Sequence, residues 1–194
     1  MRDWNQILTE WFTAAIADIS ALLHYDIEVN SIHIGQVPPE RITDLLGGND
    51  DLAVGIYQRL PVGTGGRIMI AYRLKIAHMM LESLFGDNIV PSKSLTEVRQ
   101  SAICEVGNLI MKSFITVVMD ALGLGLKPSL PVILVDSVES ITGIASEEIT
   151  PNNDTVFTID AELQLNGKSS TEKFIVMVCG NLMKASFEMV AEPV

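Results

Sequence analysis

Arg67-Ile-Met-Ile-Ala-Tyr72 and Lys173-Phe-Ile-Val-Met-Val178 are two versions of one segment. Each opens on a cation and continues as an uncharged run rich in β-branched and bulky residues, which suits a strand buried on both faces. Each leads into an amphipathic helical stretch with a glutamate at the same place, Glu82 and Glu188. Working outward from the first copy, a strand over Leu52–Leu60 is joined to Arg67–Tyr72 by the turn-rich loop Pro61-Val-Gly-Thr-Gly-Gly66. Before it come a short helix opening near Pro39 and a strand over Ile27–Gly35 that alternates only in part, through Ile27, Val29, Ile32 and Ile34. A helix over Trp4–Leu23 begins the half, and one over Leu74–Phe85 closes it. The second copy repeats the order. A capping box, Ser94-Leu-Thr-Glu97, opens a long helix that Gly123 and Gly125 stop near Leu122. A strand starts near Pro131, a short helix covers Val138–Ala145, and strands over Thr155–Leu165 and Lys173–Val178 flank the turn signal Asn166-Gly167. A last helix is expected from Asn181 to Val190.

This pattern predicts an α+β fold. It is a single domain, 1–194, built from two repeats, 1–93 and 94–194, with Gly86–Lys93 as the linker. The duplicated order is helix–strand–helix–strand–strand–helix about a pseudo-twofold, with two long helices side by side on a largely antiparallel six-stranded sheet.

Composition narrows the class. The 194 residues are 48% hydrophobic, enough for a substantial core, and the formal net charge is −11. An acidic surface disfavours nucleic acid and anionic membranes as partners. Cys104 and Cys179 sit in apolar segments and read as free thiols, with no disulfide framework and no metal-ligand spacing. No uncharged apolar core follows Met1-Arg2-Asp3-Trp4, so no signal peptide is expected. The longest apolar region is interrupted by Glu105, Asn108, Lys112 and Asp120, so no membrane insertion is expected either. A cytoplasmic protein is the expectation.

The second long helix carries the chemistry. At roughly 100° per residue, Ser101, Glu105, Asn108 and Lys112 fall within about 60° of one another. Ile103, Val106, Ile110, Phe114, Val117 and Ala121 lie opposite and should face the sheet. A polar strip on a helix is most often a solvated face. Asn108 and Gly107 are poor choices for that role, because both cost helix stability where Glu, Lys or Gln would not. The absent side chain at Gly107 lets another surface come close. No histidine lies near Ser101 to make a nucleophile–base pair, and His24, His33 and His78 form no cluster. No phosphate-cradling loop with a lysine is present. A carboxylate and a carboxamide about one turn apart remain. The carboxamide donates and accepts, so it can hold a water for attack on a phosphoryl group, as orienting glutamines do in GTPases. Met111 and Ile115 flank the strip, either as apolar contacts for an incoming partner or as packing against the first long helix.

Ser101-x-x-x-Glu105-x-x-Asn108, with Pro131 downstream, resembles the signature of the CheC/CheX/FliY chemotaxis phosphatases, and the duplicated plan looks like CheC over nearly the whole chain. Those proteins remove the phosphoryl group from the aspartyl-phosphate of the response regulator CheY. The resemblance implies that Asn108 positions the hydrolytic water and that Glu105 contacts a regulator lysine. It also implies that the regulator supplies the Mg²⁺, the chain having no cofactor of its own. Ser101, Lys112, Met111 and Ile115 become candidate partner contacts, and a CheD-like protein a possible second partner. On the first long helix Gln6, Glu10 and Thr13 stand where Ser101, Glu105 and Asn108 stand on the second. The Asn is missing there, so that site is expected to be inactive. Lys112-Ser113 replaces a Gly-Asn pair found in some members. Two other readings are a non-catalytic module that binds a receiver domain or a CheD-like partner, and an unrelated α+β domain in which Glu105 and Asn108 would be covered.

Overall fold

The computed structural model describes residues 4–38, 41–48, 51–59, 67–86, 96–122, 129–149, 156–166 and 171–179, except the side chains of 4, 118–122, 145–149, 171 and 179. Five helices and six strands follow in the order α1 (Trp4–Leu23), β1 (Ile27–Val37), α2 (Ile42–Leu45), β2 (Leu52–Arg59), β3 (Arg67–Arg73), α3 (Leu74–Phe85), α4 (Glu97–Leu122), β4 (Val132–Ser137), α5 (Val138–Ile149), β5 (Val156–Leu165) and β6 (Thr171–Cys179). The expected last helix, 181–190, and the linker beyond Gly86 lie outside the described residues. Among the described residues, no helix is long and apolar enough to cross a membrane.

The strands form one antiparallel sheet in the order β1-β5-β6-β3-β2-β4. Exchanging β1, β2 and β3 for β4, β5 and β6 returns the same order read from the other edge. The two repeated segments meet at the centre of the sheet, where β3 pairs with β6 and Ile70 stands opposite Val176. Ile70 is the fourth residue of Arg67–Tyr72, and Val176 the fourth of Lys173–Val178. A residue that faces its own counterpart marks a twofold axis, and the pseudo-twofold passes here.

The uncharged runs of β3 and β6 are explained by cover on both sides. On one face Ile68, Ile70, Tyr72, Phe174, Val176 and Val178 join the main core with α1, α3 and α4. On the other, Met69, Ala71, Ile175 and Met177 pack against Ile42 and Leu46 at α2 and Val138 and Ile141 of α5. Side chains alternate along a strand, so neither strand has a wet side. The partial alternation of β1 also has a structural cause. Its register with β5 slips between Val29 and Ser31, a bulge that carries the buried set from Ile27 and Val29 to Ile32 and Ile34.

Two turn signals act differently from expectation. Asn166 adopts a left-handed backbone (φ 48°), yet β5 ends at Leu165 and β6 begins at Thr171, which leaves 166–170 between them, wider than a two-residue hairpin. Asn166 also ties the hairpin to the start of β1. Its amide donates to the Asp26 carbonyl at 2.8 Å, and its Oδ1 accepts from the Asp26 amide at 3.0 Å. The long second helix begins at Glu97, so Thr96 holds the N-cap place and its carbonyl accepts from the Gln100 amide at 2.9 Å. Ser94 of the expected capping box lies outside the described residues.

Candidate functional site

Helix α4 is fixed by what it buries. Ile103, Val106, Ile110 and Phe114 are in the main core, as the helical phase required, and Val117 packs against its border; the Ala121 side chain is outside the described set. Gly107 is buried as well. A Cβ placed on it would run into Ile56 Cδ1 of β2, with Ile56 Cγ1 and Cγ2 each 3.2 Å away. The missing side chain therefore seats the helix on its own sheet, and the surface that comes close at Gly107 is β2.

The opposite arc of α4 faces outward. Ser101, Glu105 and Lys112 are exposed and Asn108 is half-buried, so the strip is not covered as an unrelated fold with a chance motif would require. Among the described residues, none of the four side chains enters a hydrogen bond or ion pair; the Lys112 carbonyl accepts from Thr116 Oγ1 at 2.8 Å. Side chains three and four apart on a helix stand roughly 5–6 Å apart at Cβ, so Glu105 and Asn108 present a carboxylate and a carboxamide one turn apart. Behind them lies the free thiol of Cys104. Burial pushes the Cys104 thiol up from its ordinary pKa, and the negative charge of Glu105 pushes it further.

Met111 is fully buried and Ile115 is 4% exposed; both belong to the main core. This corrects their assignment as partner contacts. The helix is covered over more of its circumference than the wheel implied, and the free arc holds the strip, its neighbours Leu109 and Thr116 and, in the first turn, Glu97 and Val98. Leu109 is the residue missed. It directly follows Asn108, is apolar, and is 48% exposed. The only signal was an apolar side chain outside the arc that faces the sheet.

The first long helix carries its counterpart strip differently. Gln6, Glu10 and Thr13 are exposed, but Gln6 Nε2 donates to Glu10 Oε1 at 2.8 Å and Thr13 Oγ1 donates to the Thr9 carbonyl at 2.9 Å. The two helices are bound side by side by Trp11. Its indole N–H donates to Ser113 Oγ at 2.8 Å, and its ring meets Phe114 edge-on at 4.8 Å. Ser113 thus serves the contact between helices.

Among the described residues, no group of three His, Cys, Asp or Glu side chains could hold a metal ion. His24 ends α1 in a left-handed conformation, His33 is exposed on β1, and His78 is half-buried on α3. They occupy three separate elements.

No family model matches the sequence. Solved structures do match. Thermotoga maritima FliY aligns with a TM-score of 0.67 at 19% identity over 94% of this chain and 90% of that one. CheX from Vibrio vulnificus aligns with a TM-score of 0.55 at 10% identity over 90% and 98%. FliM in the H. pylori FliM–SpeE complex aligns with a TM-score of 0.61 at 11% identity over 98% and 100%. The pseudo-twofold six-stranded sheet with paired long helices is therefore the fold shared by FliY, CheX, CheC-like proteins and FliM, and this chain has that CheC/CheX/FliY-like fold.

Proposed function

We propose that the protein is a phosphatase acting on the aspartyl-phosphate of a CheY-like response regulator, through α4 alone. A single observation carries this reading: among the described residues the carboxylate of Glu105 and the carboxamide of Asn108 have no hydrogen-bond or ion-pair partner on the outer face of α4, while their counterparts on α1 are bonded within their own helix. The repeats 1–93 and 94–194 then divide the labour, the second holding the working strip and the first the scaffold.

In this mechanism α4 enters the acidic pocket of the regulator. Asn108 holds a water in line with the phosphorus, its Oδ1 accepting a hydrogen bond from the water and its Nδ2 donating one to the phosphoryl group. The water oxygen bonds to phosphorus as the bond to the aspartyl oxygen breaks. The regulator regains its carboxylate, and the water proton leaves on inorganic phosphate. The regulator supplies its own Mg²⁺, which offsets charge on the phosphoryl oxygens. Glu105 pairs with a regulator lysine and sets the register of the two surfaces. Such a protein works where receivers are phosphorylated, in the cytoplasm, and a CheD-like protein would be a modulator rather than a substrate.

The test is phosphate loss from phosphorylated candidate receivers with wild type and with Asn108→Ala. Acceleration by wild type that vanishes in Asn108→Ala is expected. Acceleration that survives Asn108→Ala together with Glu105→Ala excludes the mechanism. A second reading, a receiver-binding module without catalysis, draws on the fold being shared with FliM, one example of which is solved in complex with SpeE, and on Lys112, exposed on the strip with no ion-pair partner among the described residues. Phosphorylation-dependent binding with no faster phosphate loss favours it.

A further inference from the structure

Beside the strip, α1 and α4 part into an open groove of about 410 Å³. Its floor is apolar, with Ala15 and Ile19 from α1 and Ile110 from α4, all buried. Its rim carries Leu22 and Leu109, each 48% exposed, and Asp18. A lone exposed leucine is ordinary on a soluble protein. Two on the rim of one groove, with an exposed carboxylate that enters no hydrogen bond or ion pair among the described residues, form a surface with a chemical preference. At one end the Trp11–Ser113 bond holds the two walls together. The groove is preformed, so filling it carries little reorganisation cost.

The groove is continuous with the strip, because Leu109 stands one turn on from Glu105 and three residues before Lys112 in α4, both exposed strip residues. A body that receives Asn108 also lies over the Leu109 rim. We infer that the groove is a second anchoring point for the same receiver domain: it takes an apolar side chain from the receiver surface, with a lysine or arginine beside it pairing with Asp18. This rests on the reading of Asn108 given above. Charge selects the occupant. A second copy of this chain brings another net −11 and sets an acidic surface against Asp18, whereas a surface that pairs an apolar knob with a cation satisfies rim and floor together. The groove would thus decide which receiver is chosen, while Glu105 and Asn108 act on whatever is held.

The experiment uses the full chain and a CheY-like receiver locked in its phosphorylated form by Mg²⁺ and beryllium fluoride. Affinity is measured for wild type, Asn108→Ala, Leu22→Ser with Leu109→Ser, and Asp18→Lys. The three groove residues lie at the rim, so melting curves should match wild type and a folding defect is separable. Expected are affinities about tenfold weaker in each groove variant, the usual scale for losing one good interface contact, with the Asp18→Lys effect shrinking at high salt. In turnover assays the groove variants should raise KM about tenfold and keep kcat within about twofold. Unchanged affinity in the groove variants, with hydrolysis still dependent on Asn108, overturns the groove and leaves the phosphatase reading intact. Binding that needs the groove but brings no hydrolysis by wild type overturns the phosphatase reading and supports the groove. Absence of receiver binding, or a wild-type dimer that the Leu22→Ser and Leu109→Ser pair dissolves, overturns the receiver as occupant.

Discussion

Helices α1 and α4 hold corresponding places in one fold and differ in what their outward strips offer. On α1 the outward strip is closed on itself: Gln6 holds Glu10, and Thr13 bonds back to the Thr9 carbonyl. On α4 the corresponding groups are free of such bonds among the described residues. The inward faces differ too. Aligning Thr13 with Asn108 places Phe12 where α4 has Gly107. Phe12 is fully buried, with its ring 5.8 Å from Phe174, whereas Gly107 leaves its space to Ile56. One helix is wedged onto the sheet by a ring, and the other rests on it by backbone. A twofold scaffold leaves each copy free to change so long as the shared core stays filled. Here α4 holds polar groups without partners among the described residues, and α1 satisfies its own internally.

The sharpest way to break this comparison is to truncate both strips. Asn108→Ala should lower stimulated phosphate release by about 10²–10³-fold, the scale seen when one positioned polar group is removed from a reaction site. Thr13→Ala should leave the rate within about twofold of wild type, since the Thr13 hydroxyl already serves its own helix. Single-turnover decay of a phosphorylated receiver measures both. Equal losses from the two would mean that α1 is a working site and that the asymmetry has no catalytic meaning. A gain of function sharpens the contrast. In the Asn108→Ala background, Gln6→Ser with Thr13→Asn should free Glu10 and supply a carboxamide on α1, recovering about tenfold of the lost rate. Thr13→Asn alone should recover less, because Gln6 still holds Glu10.

The inward faces give a smaller effect on a different axis. Phe12→Ala removes a fully buried ring and should cost about 3–5 kcal/mol. Gly107→Ala sets two terms against each other. Alanine gains about 1 kcal/mol over glycine in helix propensity, but the new methyl group must displace Ile56, and overpacking of a filled core costs about 1–3 kcal/mol. Ile56 is fully buried, so its Cδ1 has little room to retreat, and the packing term should win by roughly 1 kcal/mol. Denaturant unfolding midpoints at constant slope measure both. A Gly107→Ala protein more stable than wild type would show that α4 can lift off the sheet without loss, and the close seating would then need another cause.

Much of this architecture was legible in the chain, and the gaps have physical reasons. The two uncharged strands announced themselves because burial on both faces removes charge from every position. The bulge in β1 left its mark as a change of parity between Val29 and Ile32. The edges of α1 and α3 fell where the apolar periodicity stopped. The helical phase of α4 gave the direction of Glu105 and Asn108 but not the width of its cover. A wheel assigns each side chain an angle and says nothing of how far a neighbour reaches round, so Met111 and Ile115 stayed open between partner contact and packing, and the core takes them. Gly107 was ambiguous for the same reason: a missing side chain signals close approach without naming what approaches. The Thr13 back-bond was available as a known habit of threonine inside helices, and would have marked the first strip as self-satisfied.

The least disruptive probe of the α4 strip reads Glu105 through its neighbour. The Cys104 thiol is raised first by burial and then by the Glu105 charge. A nearby anion opposes formation of a thiolate, so Glu105→Gln should move the Cys104 titration toward lower pH while leaving the burial contribution in place. With Cys179→Ser removing the other thiol, the rate of Cys104 alkylation against pH should keep its shape and move toward lower pH, raising reactivity near pH 8 because the thiolate is the reactive form. Burial is the larger cause, so the variant should still titrate above an ordinary thiol. The contrast with α1 has a control. Glu10→Gln changes a carboxylate held by Gln6 on the other helix, and should leave the Cys104 profile where it was. A profile that ignores Glu105→Gln, or moves equally with Glu10→Gln, would mean that the Glu105 carboxylate does not stand over Cys104 in solution. The free strip on α4 would then be arranged differently from the geometry on which Asn108 depends.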